Sequence, residues 1–196
     1  SRGEKSALDF SEVTGQGVAK RACVIAAAGG FGLLMVGSPG AGKTMLARRL
    51  PSVLPALGDR ELRESARIHS VAGLPFQHIL AGDRPFEAPH HSATIAGLLG
   101  GGNPLRPGVS SLAHNGVLFL DELAEFKPSV LQSLRQPMET GTIRLVRAEG
   151  AYDLPARFQL VAATNPCPCG YLTEADGRCS CTPTAIRAYQ GRVGGP

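Results

Sequence analysis

The sequence predicts an α/β fold with a mostly parallel sheet flanked by helices, and three observations lead to that prediction. Apolar runs that end in polar residues recur at residues 31–36, 117–120 and 158–165. Segments of helical composition or spacing alternate with these runs. A glycine-rich loop of the nucleotide-binding type follows the first run directly. Buried strands that alternate with helices are typical of parallel sheets covered on both faces.

The loop after the first strand reads GSPGAGKT and fits the pattern G-x-x-x-x-G-K-[ST] without a mismatch. Its glycines let backbone N–H groups point at an anion, its lysine can reach the β- and γ-phosphates, and its threonine hydroxyl can ligate Mg²⁺. The helical segment that follows directs a helix N-terminus at the same anion. The loop therefore predicts binding of ATP with Mg²⁺. The predicted contact residues are Gly37, Ser38, Pro39, Gly40, Ala41, Gly42, Lys43, Thr44 and Met45.

Two later strands end in residues suited to nucleotide hydrolysis. Asp121 closes the run VLFL, where its carboxylate can hold Mg²⁺ together with Thr44, and Glu122 is placed to activate the attacking water. Asn165 ends the last strand, at the sheet edge where ligands of open α/β sheets bind. We therefore predict Lys43, Glu122 and Asn165 as the catalytic set. The alternatives are an acidic pair that only caps a strand, and an asparagine that only begins a turn.

Other segments give a coarser prediction. Residues 18–28 have helix-forming composition and are followed by the breaker pair Gly29-Gly30. Residues 51–108 are rich in proline and glycine, which predicts loops or an insertion, with one helix at 59–70. Residues 142–146 and 151–154 can pair as a hairpin with Glu149 near its turn.

Composition excludes several classes of protein. The 196 residues are 43% hydrophobic and 18% charged, an ordinary globular balance. The longest apolar stretch, residues 22–36, contains three glycines and is too short to span a bilayer. We therefore expect a cytoplasmic protein with no membrane partner. The net charge of +4 permits contact with nucleic acid without requiring it, and the absence of tryptophan disfavours a base-stacking platform.

Four of the five cysteines crowd into fifteen residues near the end of the chain, at Cys167, Cys169, Cys179 and Cys181. Four thiols match the tetrahedral coordination of Zn²⁺, although the C-x-C spacing is tighter than the usual C-x₂₋₄-C. Without a secretory signal, a reduced metal site is favoured over a disulfide framework. We predict a structural zinc site here and a core position for Cys23.

His90 and His91 invite a metal or general-base interpretation, with Glu87 nearby. Adjacent histidines point apart on a strand and rarely share a metal without a third ligand. Packing within a loop is therefore the favoured interpretation.

The strings GSPGAGKT, VLFLDE and VAATN, in this order, resemble the Walker A, Walker B and sensor-1 elements of AAA+ ATPases. The strings RPFEAPHHSATIAGLLGGG, RPGVSSLAHNGVLFLDELAEF, LRQPMETGTIRLVRA and PARFQLVAATNPCPCGY resemble the magnesium-chelatase-like ComM/YifB family more specifically. The resemblance covers nearly the whole chain from Asp9.

The resemblance implies an AAA+ P-loop NTPase core with an insertion in its second helix and a β-hairpin before sensor 1. It places Val13 and Gln16 at the adenine pocket and makes the hairpin a pore element that carries Arg144 and Arg147. It also implies a homo-hexameric motor linked to DNA branch migration. Paired cations on a projecting ribbon can grip phosphates, but charges on a hairpin can equally be solvated.

We expect residues 1–9 to form a flexible lead-in and residues 10–196 the AAA+ core. The resemblance implies that an arginine finger and a helical lid follow in the family, so this chain is expected to bind ATP and hydrolyse it weakly alone. One alternative is a magnesium chelatase ATPase subunit that drives metal insertion into a porphyrin. The other is a nucleotide switch that remodels a partner.

Overall fold

A computed structural model describes residues 9–148 and 150–194 of the chain. The predicted lead-in, apart from Asp9, and the turn residue Glu149 lie outside the described residues.

The elements follow one another in short segments. The helices are α1 Gly17–Gly29, α2 Lys43–Arg49, α3 Asp59–Val71, α4 Gln77–Leu80, α5 Ile95–Leu99, α6 Val109–Leu112, α7 Pro128–Ser133, α8 Arg135–Thr140 and α9 Pro183–Gly194. The strands are β1 Leu33–Val36, β2 Phe86–Glu87, β3 Gly100–Gly101, β4 Arg106–Pro107, β5 Val117–Leu120, β6 Thr142–Arg147, β7 Gly150–Pro155 and β8 Gln159–Thr164. Short 3₁₀ turns occupy Phe10–Glu12, Leu50–Val53 and Leu123–Glu125.

The central sheet has four parallel strands in the order β1-β8-β5-β2. Because the strands are parallel, the segments that follow β1, β5 and β8 all leave from the same edge of the sheet. These segments are the phosphate loop, the acidic pair and Asn165. The predicted α/β fold is confirmed, and the three predicted parts of the site start from one edge.

Alternating side chains of β5 enter two hydrophobic cores. Val117 and Phe119 pack into a cluster with residues of α1 and α2, whereas Leu118 and Leu120 pack into a cluster with residues of α5 and α7. Residues two apart on a strand point to the same face of the sheet. Each fully buried apolar side chain contributes about 2 kcal/mol relative to exposure. The helices therefore cover both faces of the sheet at β5.

The prediction of a buried first strand over residues 31–36 was wrong in two respects. The strand begins at Leu33, and its side chains alternate between half-buried and exposed, with Leu34 47% and Val36 57% exposed. Within the described part of the chain β1 is one of the two edge strands of this sheet, and β2 is the other. Leu33 and Met35 pack against the core, and the other two side chains point away from it.

The proline-rich segment holds more structure than its composition predicted. The predicted helix at 59–70 is confirmed as α3, which is held by hydrogen bonds from His69 to the carbonyl of Leu112 (2.9 Å) and from Ser65 to that of His114 (2.9 Å). The short strand β2 joins the central sheet beside β5. A strand of two residues is too short for a periodicity to predict.

The predicted hairpin is confirmed and is slightly longer, with Thr142–Arg147 paired antiparallel to Gly150–Pro155. The helical stretch before it divides into α7 and α8, because Pro137 has no backbone N–H to continue the helix. Among the described residues, no helix combines the length and the apolar character that crossing a membrane requires.

Gly116, which precedes β5, is a position where only a glycine fits. A Cβ there would lie 2.0 Å from the carbonyl oxygen of Pro85, the same oxygen that accepts the Val117 N–H (2.9 Å). We expect Gly116→Ala to lower the free energy of unfolding by about 3 kcal/mol, because the clash is with backbone. Gly17→Ala is the matched control, since no atom lies within 4 Å of its added Cβ, and we expect a change below about 0.5 kcal/mol. Urea denaturation measures both, and equal stability of the two variants would contradict this account.

Candidate nucleotide-binding site

An open cleft of about 480 Å³ lies at the carboxyl edge of the central sheet. It is lined by Pro39, Gly40, Ala41, Gly42, Lys43, Thr44, Met45, Asp121, Glu122, Thr164 and Asn165. This volume lies in the range of small-molecule sites. The cleft brings together three segments that are far apart in the sequence and that the sequence analysis had singled out separately.

Two of the three glycines of the phosphate loop adopt conformations that residues with side chains rarely reach. Gly40 has φ +81° and Gly42 has φ +79°, both in the left-handed region. The side chain of Gln16 closes on the loop from the segment before α1, and its Nε2 donates to the carbonyl of Ala41 (3.0 Å). A Cβ on Gly42 would lie 2.6 Å from that Nε2. The loop is therefore compact and held from outside.

Lys43 reaches back over the phosphate loop. Its Nζ donates to the carbonyls of Gly37 (2.7 Å) and Ser38 (2.9 Å) and to Oδ1 of Asn165 (3.2 Å). Burial lowers the pKa of this ammonium, and the Asp121 carboxylate partly opposes that shift. Neutral oxygens hold this ammonium beside a loop whose backbone N–H groups can donate to an anion. Such an arrangement is suited to bind a polyanion. The residues present therefore fit a nucleotide phosphate.

Thr44 and Asp121 meet across the cleft. The Thr44 hydroxyl donates to Oδ2 of Asp121 (2.8 Å), and the other carboxylate oxygen accepts the N–H of Glu122 (3.0 Å). A hydroxyl and a carboxylate side by side are the oxygen ligands that Mg²⁺ uses next to phosphates. The donor set therefore fits the predicted ion.

Glu122 stands in a strained conformation at the mouth of the cleft. Its backbone has φ +52° and ψ +48°, in the left-handed region that costs a residue with a side chain roughly 1 kcal/mol or more. The side chain is 61% exposed, so a water molecule can approach its carboxylate. Strain of this kind is typical of functional sites, and here it coincides with the residue that the sequence predicted as the base.

His91 is a neighbour of the site that the sequence analysis did not place there. Its Nε2 lies 3.7 Å from Oε2 of Glu122, and its ring stacks on that of His90 at 4.0 Å between centroids. His90 hydrogen-bonds Ser92 in the same loop (2.8 Å). Two adjacent histidines carry no spacing signal for such proximity. Burial raises the pKa of Glu87, on β2, to about 6, and this residue does not line the cleft.

Gly37 and Ser38 do not line the cleft and instead give their carbonyls to Lys43. Four further residues that were predicted to contact nucleotide or DNA also lie apart from the cleft lining. Val13 is 2% exposed and belongs to the core beside α1 and α2, whereas Gln16 contacts the phosphate loop from outside. Arg144 and Arg147 are exposed on β6 of the hairpin, where Arg144 stands opposite Asp153. The functions predicted for these four residues remain predictions.

The four clustered cysteines converge in space as the sequence predicted. Their sulfur atoms all lie within 4.8 Å of one another, with Cys167 to Cys169 at 3.4 Å, Cys167 to Cys179 at 3.8 Å and Cys169 to Cys179 at 3.6 Å. The backbone N–H of Tyr171 lowers the pKa of the Cys169 thiol to about 6, and contacts with the neighbouring thiols act in the same direction. A thiolate is the form of cysteine that binds metal.

The parallel sheet, the phosphate loop after β1, the acidic pair after β5 and the asparagine after β8 define a P-loop NTPase core of the AAA+ class. The family model described as "Magnesium chelatase, subunit ChlI" matches residues 9–196. The chain therefore belongs to this magnesium-chelatase-like AAA+ family, and the resemblance drawn from the sequence is confirmed.

Curated relatives match nearly the whole chain. It is 50% identical to the competence protein ComM of Haemophilus influenzae over 192 residues, which cover 98% of this chain and 37% of ComM. It is 48% identical to the uncharacterized protein YifB of Escherichia coli over 188 residues, which cover 96% of this chain and 37% of YifB. The chain thus spans well under half the length of these relatives.

A solved structure of the complex between subunits BchI and BchD of magnesium chelatase contains a similar chain. The TM-score is 0.58 at 20% sequence identity, and the match covers 81% of this chain and 55% of the other. At this identity the likeness concerns the fold.

Proposed function

We propose that the chain is an ATP-binding and ATP-hydrolysing motor module that works in the cytoplasm as part of a hexameric ring and couples hydrolysis to DNA remodelling. One observation carries the ATPase part of this proposal. Lys43, Thr44, Asp121, Glu122 and Asn165, from three separate strand ends, meet in one cleft with their polar atoms in hydrogen-bonding contact or directly adjacent.

Each residue has a distinct task in this proposal. Lys43 exchanges its carbonyl partners for phosphate oxygens, and Asn165 positions Lys43 and contacts the terminal phosphate. Thr44 and Asp121 would hold Mg²⁺, which supplies charge neutralisation at the phosphates when bound. Glu122 orients the attacking water and accepts its proton.

The exposure of the site supports assembly with a neighbouring subunit. The cleft is open, and the Glu122 carboxylate at its mouth is mostly exposed. A cationic group from an adjacent subunit can complete such a site and accelerate hydrolysis by several orders of magnitude. The printed description of the similar solved structure is a complex of two kinds of subunit. We therefore propose that the isolated chain binds ATP and hydrolyses it slowly.

The proposal of DNA as partner depends on the hairpin and on one relative. Arg144 and Arg147 are exposed on β6, and Val146 beside them is 75% exposed, as on a ribbon that projects for contact. The relative named a competence protein is far more similar to this chain than the magnesium chelatase chain is. The second candidate, a chelatase ATPase subunit, is favoured by the description of the family model.

A structural zinc ion at the four cysteines belongs to the same proposal. A tetrahedral Zn–S₄ site with bonds of about 2.3 Å has sulfur–sulfur edges of about 3.8 Å. The sulfur atoms of Cys167, Cys169 and Cys179 lie 3.4–3.8 Å apart, close to that edge, and that of Cys181 lies within 4.8 Å of each of them, whereas a disulfide requires about 2.05 Å.

Replacing the lysine and the glutamate separates binding from hydrolysis. We expect Lys43→Ala to weaken ATP binding at least thirtyfold, because the phosphates lose their buried cation. We expect Glu122→Gln to keep the affinity and to lower the hydrolysis rate by about 10²-fold or more. Calorimetry and phosphate release measure the two effects. As a control, Lys127→Ala removes the same charge outside the cleft and should leave ATP affinity unchanged. Undiminished ATP affinity in Lys43→Ala would refute the site assignment.

The two arginines test the partner. We expect Arg144→Ala with Arg147→Ala to weaken binding of forked DNA by the intact protein and to reduce the slope of log affinity against log salt by about one to two. The control pair, Arg63→Ala with Arg67→Ala on α3, changes the net charge equally on another surface. Equal loss in both pairs would reject the hairpin as the contact. No DNA binding at low salt would favour the chelatase or a partner-remodelling switch.

Metal analysis tests the zinc site. We expect about one Zn²⁺ per chain in protein purified without chelator, measured by mass spectrometry of the metal. We expect Cys179→Ser with Cys181→Ser to remove it, since two ligands rarely retain zinc. Ser180→Ala, between the two cysteines, should keep the metal. Metal-free protein with four reactive thiols and an intact fold would reject the site.

A further inference from the structure

We propose that the metal-binding turn next to Asn165 determines the shape of the phosphate loop, so that occupancy of the cysteine site controls nucleotide affinity. This inference rests on the proposed function, both for the nucleotide and for the zinc ion. We name residues 167–170 together with Cys179 and Cys181 the cysteine knuckle.

The first link is a direct contact between the cysteine knuckle and the phosphate loop. Gly170 is buried, has φ +87° and donates its N–H to the carbonyl of Cys167 (3.0 Å), which closes the turn that carries Cys169. A Cβ on Gly170 would lie 2.6 Å from Cδ of Pro39 and 2.9 Å from Cγ. The backbone of the knuckle therefore presses on the proline ring of the loop, and a displaced turn must displace Pro39.

The second link runs along the chain. Cys167 is two residues after Asn165, whose Oδ1 accepts the hydrogen bond from Lys43 (3.2 Å). Between them, the carbonyl of Pro166 accepts a hydrogen bond from Gln190 on α9 (3.4 Å). The knuckle is thus connected to the site in two ways. Gly170 packs against Pro39, and Cys167 follows closely in the chain after Asn165, which accepts a hydrogen bond from Lys43.

Cys167 and Gly170 are buried, whereas the loop that carries Cys179 and Cys181 depends on its ligands for its position. Gly170 is the last buried residue before a long stretch, since residues 171–188 are half-buried or exposed throughout. Cys179 and Cys181 lie within that stretch, and the contacts between the sulfur atoms bring them against Cys167 and Cys169. A bound Zn²⁺ would neutralise thiolates that otherwise repel one another and would cross-link the ends of this loop. Loss of the metal would release the loop, and with it the turn at Gly170.

Nucleotide affinity with and without metal tests the inference. Calorimetry with ADP in Mg²⁺-free buffer compares the protein as purified, the protein stripped by a zinc-selective chelator, and the stripped protein resupplied with Zn²⁺. We expect stripping to weaken ADP binding about tenfold and Zn²⁺ to restore it. Hydrogen exchange gives a second readout, in which the amides of residues 40–42 should exchange faster after stripping.

Two variants locate the coupling. Cys179→Ser with Cys181→Ser should match the stripped protein, and Ser180→Ala should match the protein as purified. Pro39→Ala keeps the cysteines and removes the ring that touches Gly170. In this variant we expect stripping of the metal to change ADP affinity less than twofold. If the contact between Gly170 and Pro39 carries the coupling, removing the proline ring should abolish the effect of metal removal, as in a double-mutant cycle.

The failures are distinguishable. Zinc that is bound and removed with no change in ADP affinity or loop exchange would overturn the inference and leave the zinc site intact. A folded protein without zinc would overturn the zinc proposal. Zinc-loaded protein that binds no ADP would overturn the proposed nucleotide site. Equal sensitivity to stripping in Pro39→Ala would overturn the contact as the route.

Discussion

The pairing of β8 between β1 and β5 is the constraint on which the rest of the site depends. Thr164 of β8 pairs with Val36, the last residue of β1. Ala162, two residues earlier on β8, pairs with Leu120, the last residue of β5. A shift of one residue in a parallel sheet would move every side chain to the opposite face and place core residues in solvent. Burial in both cores therefore fixes the register, and the register fixes where the polar residues emerge. The geometry of the candidate site is thus a consequence of apolar packing several residues away.

The site combines rigid support with local strain. Lys43 and Thr44 are held by hydrogen bonds to neighbouring oxygens, and Gln16 closes the loop from outside. Glu122, in contrast, occupies a left-handed backbone conformation at an exposed position. Such a backbone conformation persists only where the surrounding structure imposes it. The hydrogen bond from the Glu122 N–H to the Asp121 carboxylate is one such restraint. The proposed binding of phosphate and activation of water would therefore use one preformed frame, in which the two acidic residues have different environments.

The peripheral elements serve this frame in different ways. The hairpin does not line the cleft and its arginines are exposed, so the contribution proposed for it concerns a partner rather than the nucleotide. The cysteine knuckle, in contrast, touches the phosphate loop through Gly170 and Pro39. This contact is the basis of the proposed link between the metal and nucleotide sites, because close-packed interiors transmit displacement. Of these two appendages, only the knuckle contacts the cleft directly.

By itself, the sequence determined the fold class, the phosphate loop, the acidic pair, the hairpin and the grouping of four cysteines. These features depend on local spacing, which periodicity and motif patterns report directly. Tertiary structure decided the rest. The exposed side of β1 follows from its position at the sheet edge, and β2 is too short to carry a period. The approach of His91 to Glu122 and of Gly170 to Pro39 joins segments separated by many residues. Such contacts depend on strand order and on how the chain packs, which the identity of a single residue in the sequence does not reveal.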